Sequence, residues 1–154
     1  MFYPCKSNSR PQGGNFIYTK QELEEMMKEI KFSQQFPLKE LVLGVSKPNG
    51  RLNIEDIRLL CKKAYPQKIT IHKAIDLSPQ PLEDLKDLLE IENITSVLMP
   101  TAMEDHEVLN KLSKLSEGKI AIIAAGKITN NNIKQVASLI HTTVFHERKI
   151  VGQL

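Results

Sequence analysis

The sequence predicts an α/β fold, a partial TIM-type (β/α) barrel in which five parallel strands alternate with helices. Short runs rich in β-branched residues alternate with amphipathic stretches from residue 19 onward. The strand-like runs start near residues 41, 68, 94, 119 and 142, and this even spacing is typical of repeated βαβ units. One run also carries polar side chains on a single face, which favours a barrel.

The first helix is predicted over residues 20–32, because apolar side chains recur there on one face: Leu23, Met26, Met27 and Ile30. Thr19 with Glu22 three residues later is the pattern of a capping box. The apolar run Leu41–Val45 predicts a buried strand. Asn53 then caps a second helix.

The same unit repeats along the rest of the chain. Further strands are predicted over residues 69–72, 94–99, 119–124 and 142–146. Helices are predicted to begin near Ser78, Thr101 and Thr129, each a residue that favours helix starts. The remaining residues, 147–154, are predicted to form a tail.

The strand at 69–72 distinguishes an open doubly wound sheet from a (β/α) barrel. Strands covered by helices on both faces are apolar throughout. Here Thr70 and His72 share one face, and Ile69 and Ile71 share the other. Polar residues near the carboxyl end of a strand suit the mouth of a barrel, so the barrel is preferred.

Composition excludes several classes of function. The chain has 154 residues and a formal net charge of +3, which is too mild to predict a nucleic-acid partner. No apolar run approaches the roughly 20 residues of a membrane helix, so no membrane partner is expected. Cys5 and Cys61 form no spaced pattern, which favours the reducing cytoplasm. A single domain over residues 1–154 is predicted.

The candidate catalytic residues are His72 and Asp76, which follow a predicted strand together with Lys73. His72 can act as acid, base or metal ligand, Lys73 supplies charge, and Asp76 can orient the imidazole or accept a hydrogen bond from a ligand. The alternative is structural: His72 would be hydrogen-bonded inside the barrel, and Asp76 would shape the turn.

Other candidate ligand-binding residues lie in loops and at a strand end. Arg10 with Gly13 and Gly14 can hold a phosphate or carboxylate. Gly126 joins a strand to a helix start, where backbone amides bind anions. His146 ends the last strand. Each has a structural alternative. The Arg10 segment would be a flexible turn, Gly126 would belong to a simple βα turn, and His146 would be a structural histidine.

A metal site is not established by the sequence. Sulfur and imidazole ligands suit copper(I). However, Met26, Met27 and Cys61 lie on apolar helix stripes, where packing is the better explanation. No Cys-x-x-Cys or His-x-x-x-His pattern occurs. The metal ligands therefore stay unassigned.

Several segments resemble the CutC family, which is named for copper homeostasis. Residues 10–18 resemble its Arg-Pro-Arg-Gly-Gly-Asp-Phe-x-Tyr motif, and residues 72–76 resemble its His-Arg-Ala-Phe-Asp motif. Residues 43–52 are similar to Phe-Gly-x-Leu…Asp-Gly-x-Ile. Residues 126–132 and 145–146 are similar to Gly-Gly-Ile-x-x-x-Asn and to the end of Glu-Phe-His. The resemblance covers residues 10 to 148.

The resemblance implies a cytoplasmic (β/α) barrel with copper as a ligand, without assigning a reaction. Carried over residue by residue, it implies a mouth formed by Arg10, His72, Asp76, Gly126, Asn132 and His146. Lys73 stands in place of a motif arginine, Ala125 and Lys127 in place of glycines, and Val144 in place of a glutamate. The family's cysteine-bearing first strands have no counterpart, which weakens the expectation of copper binding.

Three functions stay open. The first is a CutC-like role in copper homeostasis, with copper bound weakly or indirectly. The second is an inactive truncated paralogue, which the replaced glycines and glutamate favour. The third is a barrel enzyme acting on a small phosphorylated or carboxylated metabolite, with His72 as acid or base and Arg10 as anion clamp.

The length of the chain adds two expectations. Eight units of this size need roughly 200 residues, so the first three barrel strands are expected to be missing. A five-stranded part of a barrel leaves sheet edges and an unfilled interior, which predicts self-association.

Overall fold

The computed structural model describes residues 16–72, 74–99, 106–116, 118–125, 134–135, 138 and 144–146. Helices and strands alternate along these residues, as the sequence predicts. In chain order they are α1 (Lys20–Ser33), β1 (Glu40–Leu43), α2 (Ile54–Ala64), β2 (Lys68–Ile71), α3 (Pro81–Leu88), β3 (Ile94–Met99), α4 (His106–Leu115), β4 (Ala121–Ala125) and β5 (Val144–His146). The predicted helix starts at Thr101 and Thr129 lie outside the described residues.

The five strands form one parallel sheet in the order β1-β2-β3-β4-β5. Each strand pairs with the next strand along the chain, and α2, α3 and α4 make the connections between β1 and β4. Sequential pairing is the pattern of a (β/α) barrel, whereas a doubly wound sheet reverses its strand order at a switch point. The predicted arrangement of five parallel strands alternating with helices is confirmed.

Helix α1 begins with the capping box that the sequence predicts. The Glu22 amide donates to Thr19 Oγ1 at 3.2 Å, and the Thr19 amide donates to Glu22 Oε2 at 2.6 Å. These bonds satisfy amides that have no partner within the helix. Asn53 caps α2 in a similar way, because its Oδ1 accepts a 3.2 Å hydrogen bond from the Asp56 amide. Both predicted caps are confirmed.

Helix α3 begins later than predicted. Its N-cap is Gln80, whose side chain makes no capping hydrogen bond, and Pro81 takes the first helical position. Proline suits that position because the amide it lacks would have no intrahelical acceptor. Ser78 lies two residues before this N-cap, where its hydroxyl accepts from the Gln80 amide at 3.1 Å and donates to Asp84 Oδ2 at 2.5 Å.

The main core lies between the sheet and the helices. Ile69 and Ile71 of β2 are fully buried there together with Ile57, Leu85 and Leu88 from helices α2 and α3. Burial of such side chains contributes on the order of 1.5–3 kcal/mol each. None of the described helices is long and apolar enough to cross a membrane.

The opposite face of the sheet is more polar, as the position of Thr70 predicts. Thr70 Oγ1 donates to Glu40 Oε1 at 2.6 Å and also hydrogen-bonds to Ser96 Oγ. These three side chains cross β1, β2 and β3, with Thr70 and Ser96 paired in register. The apolar side chains of Val42 and Leu98 are only half-buried. This face is therefore less covered than the helix-packed face.

Candidate functional site

His72 lies at the carboxyl edge of the sheet, one residue beyond the end of β2. Its amide donates to the Leu43 carbonyl at 3.1 Å, so the backbone pairing with β1 continues to this residue. The imidazole is half-buried. In parallel α/β sheets this edge is where ligands bind. The structure thus places His72 where the sequence predicts a functional side chain.

Gly44 provides the space in which the imidazole of His72 lies. A Cβ atom on Gly44 would be 2.7 Å from His72 Cε1 and 2.9 Å from His72 Nδ1. It would also be 3.0 Å from the Cβ of Ala74. A Cβ atom at these distances would force the ring or the backbone to shift, so the nearby imidazole, and not a positive φ, favours glycine here. The sequence motif contained Gly44, but only the structure shows its role.

Phe16 covers the imidazole from another side. The ring centroids of Phe16 and His72 are 4.4 Å apart, with an interplanar angle of 44°. Phe16 is itself buried and has a positive φ of 53°. Its carbonyl accepts a 2.8 Å hydrogen bond from the Ser46 amide, which fastens it to the segment after β1. Phe16 follows the predicted Arg10 loop but was not among the predicted site residues.

The hydrogen bond at Nδ1 indicates which nitrogen of His72 carries the proton. The Ala74 amide donates to His72 Nδ1 at 3.3 Å. A neutral imidazole whose Nδ1 accepts a hydrogen bond carries its proton on Nε2. His72 Nε2 is then a hydrogen-bond donor. Metal coordination through Nε2 requires the other tautomer, which would turn an N–H toward the Ala74 amide.

Asp76 lies half-buried in the turn that follows His72. The turn is held by hydrogen bonds from the Ile75 amide to the His72 carbonyl, at 3.4 Å, and from the Ser78 amide to the Ile75 carbonyl, at 3.1 Å. The Ala74 amide already donates to His72 Nδ1. The role predicted for Asp76, which is to orient the imidazole or to accept a hydrogen bond from a ligand, stays a prediction.

An ion pair with a buried carboxylate ties together the two loops at this edge. Asp84 of α3 has no exposed side-chain surface, and Arg51 donates to its Oδ1 from Nε at 2.9 Å and from Nη2 at 2.6 Å. Asp84 Oδ2 accepts from the Leu52 amide at 3.0 Å and from the Ser78 hydroxyl. The Asp84 hydrogen bond raises the pKa of Arg51. The pair fixes the β1–α2 loop against the loop that carries Asp76.

The other predicted site residues are only partly within the described structure. His146 ends β5, and its register partner is Ala125 of β4. Three strand spacings separate β5 from β2, roughly 14 Å along the sheet. The remaining predicted residues lie outside the described residues: Arg10, Gly13, Gly14, Lys73, Gly126 and Asn132. The structure therefore does not test whether they meet His72.

The described residues contain no group of three or more His, Cys, Asp or Glu side chains that could hold a metal ion. Cys61 faces the core from α2, and burial raises the pKa of its thiol to about 12. It is therefore a protonated thiol at neutral pH, whereas the metal ligand is the thiolate. Met26 and Met99 are also buried in the core. The packing role predicted for Cys61 and Met26 agrees with this burial.

Parallel strands that pair in chain order and are joined by helices place the fold in the class of (β/α)-barrel proteins. Comparison with known proteins gives the family. The sequence pattern of the CutC family matches residues 2–151, and the chain belongs to this family.

Individual relatives agree with this assignment. A CutC family protein from Porphyromonas gingivalis is 31% identical over 140 residues, which are 89% of this chain and 56% of the relative. The human "Copper homeostasis protein cutC homolog" is 28% identical over 140 residues, 89% of this chain and 51% of that protein. The chain thus spans about half the length of the curated relatives it matches.

A solved structure shares the fold. The crystal structure of the putative copper homeostasis protein CutC from Streptococcus agalactiae superposes with a TM-score of 0.83 at 23% sequence identity. The match covers 92% of this chain and 70% of that chain.

Proposed function

We propose that this protein takes part in copper homeostasis and that it does so by binding a ligand at the carboxyl edge of its sheet, around His72. Membership of the CutC family supports the first part, because the human relative carries that function in its name. The second part rests on one observation: the His72 imidazole is held between Gly44, Phe16 and the Ala74 amide at the edge where barrel proteins bind ligands.

The chemistry of the described donors argues that copper itself is bound weakly or indirectly. Copper(I) prefers thiolate and thioether ligands. Cys61 is a buried, protonated thiol, and Met26 and Met99 are part of the core. His72 offers one imidazole at this edge, and its Nδ1 is engaged by the Ala74 amide. A site with a single imidazole ligand binds copper weakly.

Competition titration with copper(I) tests this proposal. The purified chain is titrated anaerobically against a chromogenic chelator, next to the His72→Ala, Cys61→Ala and His106→Ala variants. His106 is the matched control because it is an exposed histidine on the first turn of α4. We expect weak binding that His72→Ala abolishes and that the other two variants retain. Tight binding that depends on Cys61 would contradict the assignment to His72.

A small phosphorylated or carboxylated metabolite is the second candidate ligand, and the tautomer of His72 favours it. An Nε2–H group donates a hydrogen bond, which suits an anionic oxygen better than a metal ion. Thermal-shift screening with inorganic phosphate, sugar phosphates and carboxylates tests it. We expect stabilisation of the unaltered chain and none of His72→Ala. If neither copper nor any anion binds, the remaining hypothesis is that the chain is an inactive truncated paralogue.

A further inference from the structure

A second surface lies at the opposite edge of the sheet from His72, where the strands begin. Helices α1 and α2 end there and lead into β1 and β2. Three aromatic side chains are at least half exposed in this region: Phe32 is 59% exposed, Tyr65 is 56% exposed and Phe36 is 50% exposed. Large exposed aromatic side chains grouped in this way indicate an interaction site.

Exposed lysines lie close in the chain to these aromatic residues. Lys31 precedes Phe32 in the last turn of α1, and Lys62 and Lys63 lie in the last turn of α2. All three lysines are exposed. We define the basic aromatic surface as these six residues: Lys31, Phe32, Phe36, Lys62, Lys63 and Tyr65. Exposed Lys39 and Lys68 follow Phe36 and Tyr65 in the chain and lie next to each other, since the Lys68 amide donates to the Lys39 carbonyl at 2.8 Å.

Contacts between the two helix ends make the basic aromatic surface continuous. The rings of Phe32 and Phe36 meet edge to face, with centroids 5.2 Å apart. Gln34, which lies between them in the chain, donates from Nε2 to the carbonyls of Lys63 at 3.0 Å and Ala64 at 3.3 Å. The end of α1 is therefore fastened to the end of α2.

A second set of hydrogen bonds fixes the loop that follows Phe36. Gln67 Nε2 donates to the Leu38 carbonyl at 2.9 Å, and Ser33 Oγ donates to the Ile30 carbonyl at 2.6 Å. Both Gln67 and Ser33 are buried. These buried hydrogen bonds hold the end of α1 and the following loop in place, so the surface is already formed before a partner binds.

We propose that the basic aromatic surface binds an anionic phospholipid membrane surface. Lysines near a negatively charged leaflet are attracted electrostatically, and aromatic side chains favour the membrane–water interface. Protein interfaces, in contrast, are depleted in lysine and enriched in arginine. None of the six residues is an arginine or carries a negative charge. Glu90 and Glu92, in the next loop along this edge, limit the basic region on one side.

This surface lies at the opposite edge of the sheet from the proposed site. The proposed membrane partner differs from the sequence-based expectation that the protein has no membrane partner. That expectation rested on the absence of an apolar run long enough to cross a membrane. The lack of such a run does not report how charged and aromatic side chains are distributed on the surface of the fold. A surface contact also needs no membrane-crossing helix.

Co-sedimentation with lipid vesicles tests the proposal. The chain is mixed with vesicles of phosphatidylcholine alone and of phosphatidylcholine with phosphatidylserine, at low and at physiological salt. We expect binding to the anionic vesicles, weakened by salt, and no binding to the neutral ones. The double variant Lys62→Glu, Lys63→Glu should lose at least about tenfold in binding, as expected for two lysines near an anionic leaflet.

A matched charge control keeps the experiment specific. Lys20→Glu with Lys47→Glu makes the same change in net charge at the other edge of the sheet, where both lysines are exposed, and it should retain binding. Phe32→Ser with Phe36→Ser should weaken binding without changing the charge. Circular dichroism checks that each variant is folded.

Several results would overturn the proposal. These are an absence of binding to anionic vesicles, an equal loss in both charge variants, and unchanged binding after loss of the two phenylalanines. Selective binding of an acidic protein or an oligonucleotide without vesicle binding would also overturn it and assign the surface to that partner.

Discussion

At the scale of single residues, the close approach of Gly44 to the His72 ring is the most specific feature of the site. A methyl group on Gly44 would overlap the imidazole, since its carbon would be 2.7 Å from Cε1. The ring is packed against Phe16 and its Nδ1 is hydrogen-bonded, so it has little freedom to move aside. The identity of one residue directly after β1 thus determines where the histidine after β2 can lie.

Gly44→Ala is expected to lower the free energy of unfolding by about 1–3 kcal/mol, as overpacking does in a well-packed region. Urea denaturation measures the change. The control is the same substitution in a His72→Ala background, where most of the overlap is removed and the cost should fall. An equal cost in both backgrounds would show that the imidazole is not what Gly44 accommodates.

Cys61 gives a prediction about pH. Burial raises the pKa of its thiol from 9.0 to about 12, so the folded state favours the protonated form. The stability that this difference contributes is fully present below pH 9.0 and is lost as the pH rises toward about 12. Cys61→Ala should therefore reduce the fall in melting temperature over this interval.

Alkylation provides an independent check on Cys61. In a Cys5→Ser background, iodoacetamide should modify Cys61 only after denaturant unfolds the chain, because the reactive thiolate does not form in the folded state. Rapid alkylation of the folded protein at neutral pH would contradict the burial of Cys61. It would also reopen the question of a sulfur ligand for copper.

At the scale of secondary-structure elements, the sequence predicts the order and the type of the described elements well. Helix periodicity and the capping pattern at Thr19 are local signals, so α1 is predicted to within one residue of its observed range. The parallel order follows from the even spacing of the strands. β4 begins two residues later than predicted, because β-branched runs mark strand boundaries only approximately.

The contacts of the site are less predictable than its elements. His72 was predicted from its place after a strand, but Phe16 and Gly44 reach it from distant parts of the chain. The same is true of the pair between Arg51 and Asp84, which are 33 residues apart. No periodicity or local motif reports such pairings, because they depend on how the loops pack in three dimensions.

Asp84→Asn should destabilise the protein by about 2–4 kcal/mol, because it removes a buried charge that accepts from Arg51, Ser78 and the Leu52 amide. The neighbouring Glu83→Gln is the matched control, since Glu83 forms an exposed pair with Lys86, and it should change stability by less than about 1 kcal/mol. Chemical denaturation of both variants checks this. Equal effects would show that the buried pair does not clamp the loops.

At the scale of the whole molecule, the described residues form a sheet with two outer strands and one face that is less covered than the other. Within the described residues β1 and β5 are the outer strands, and Val42, Leu98 and Ile123 on the less covered face are only half-buried. The chain also spans about half the length of its curated relatives. Exposed strand edges and apolar sheet faces promote association.

We therefore expect the 154-residue chain to self-associate. Sedimentation velocity over a range of protein concentrations should show a dimer or a larger species. The Val42→Lys variant places a charge on the less covered face of β1 and should shift the equilibrium toward the monomer. A single, concentration-independent monomer in the unaltered chain would contradict the prediction.

The central claim is that a ligand binds at the carboxyl edge through His72, held with its proton on Nε2. Proton–nitrogen NMR of the four histidines, with His72 assigned by its loss in His72→Ala, tests this most directly. We predict the Nε2–H tautomer for His72 at neutral pH, and we predict that its signals shift on titration with copper(I) or phosphate. An Nδ1–H tautomer, or titrations that leave the His72 signals unchanged, would contradict the account.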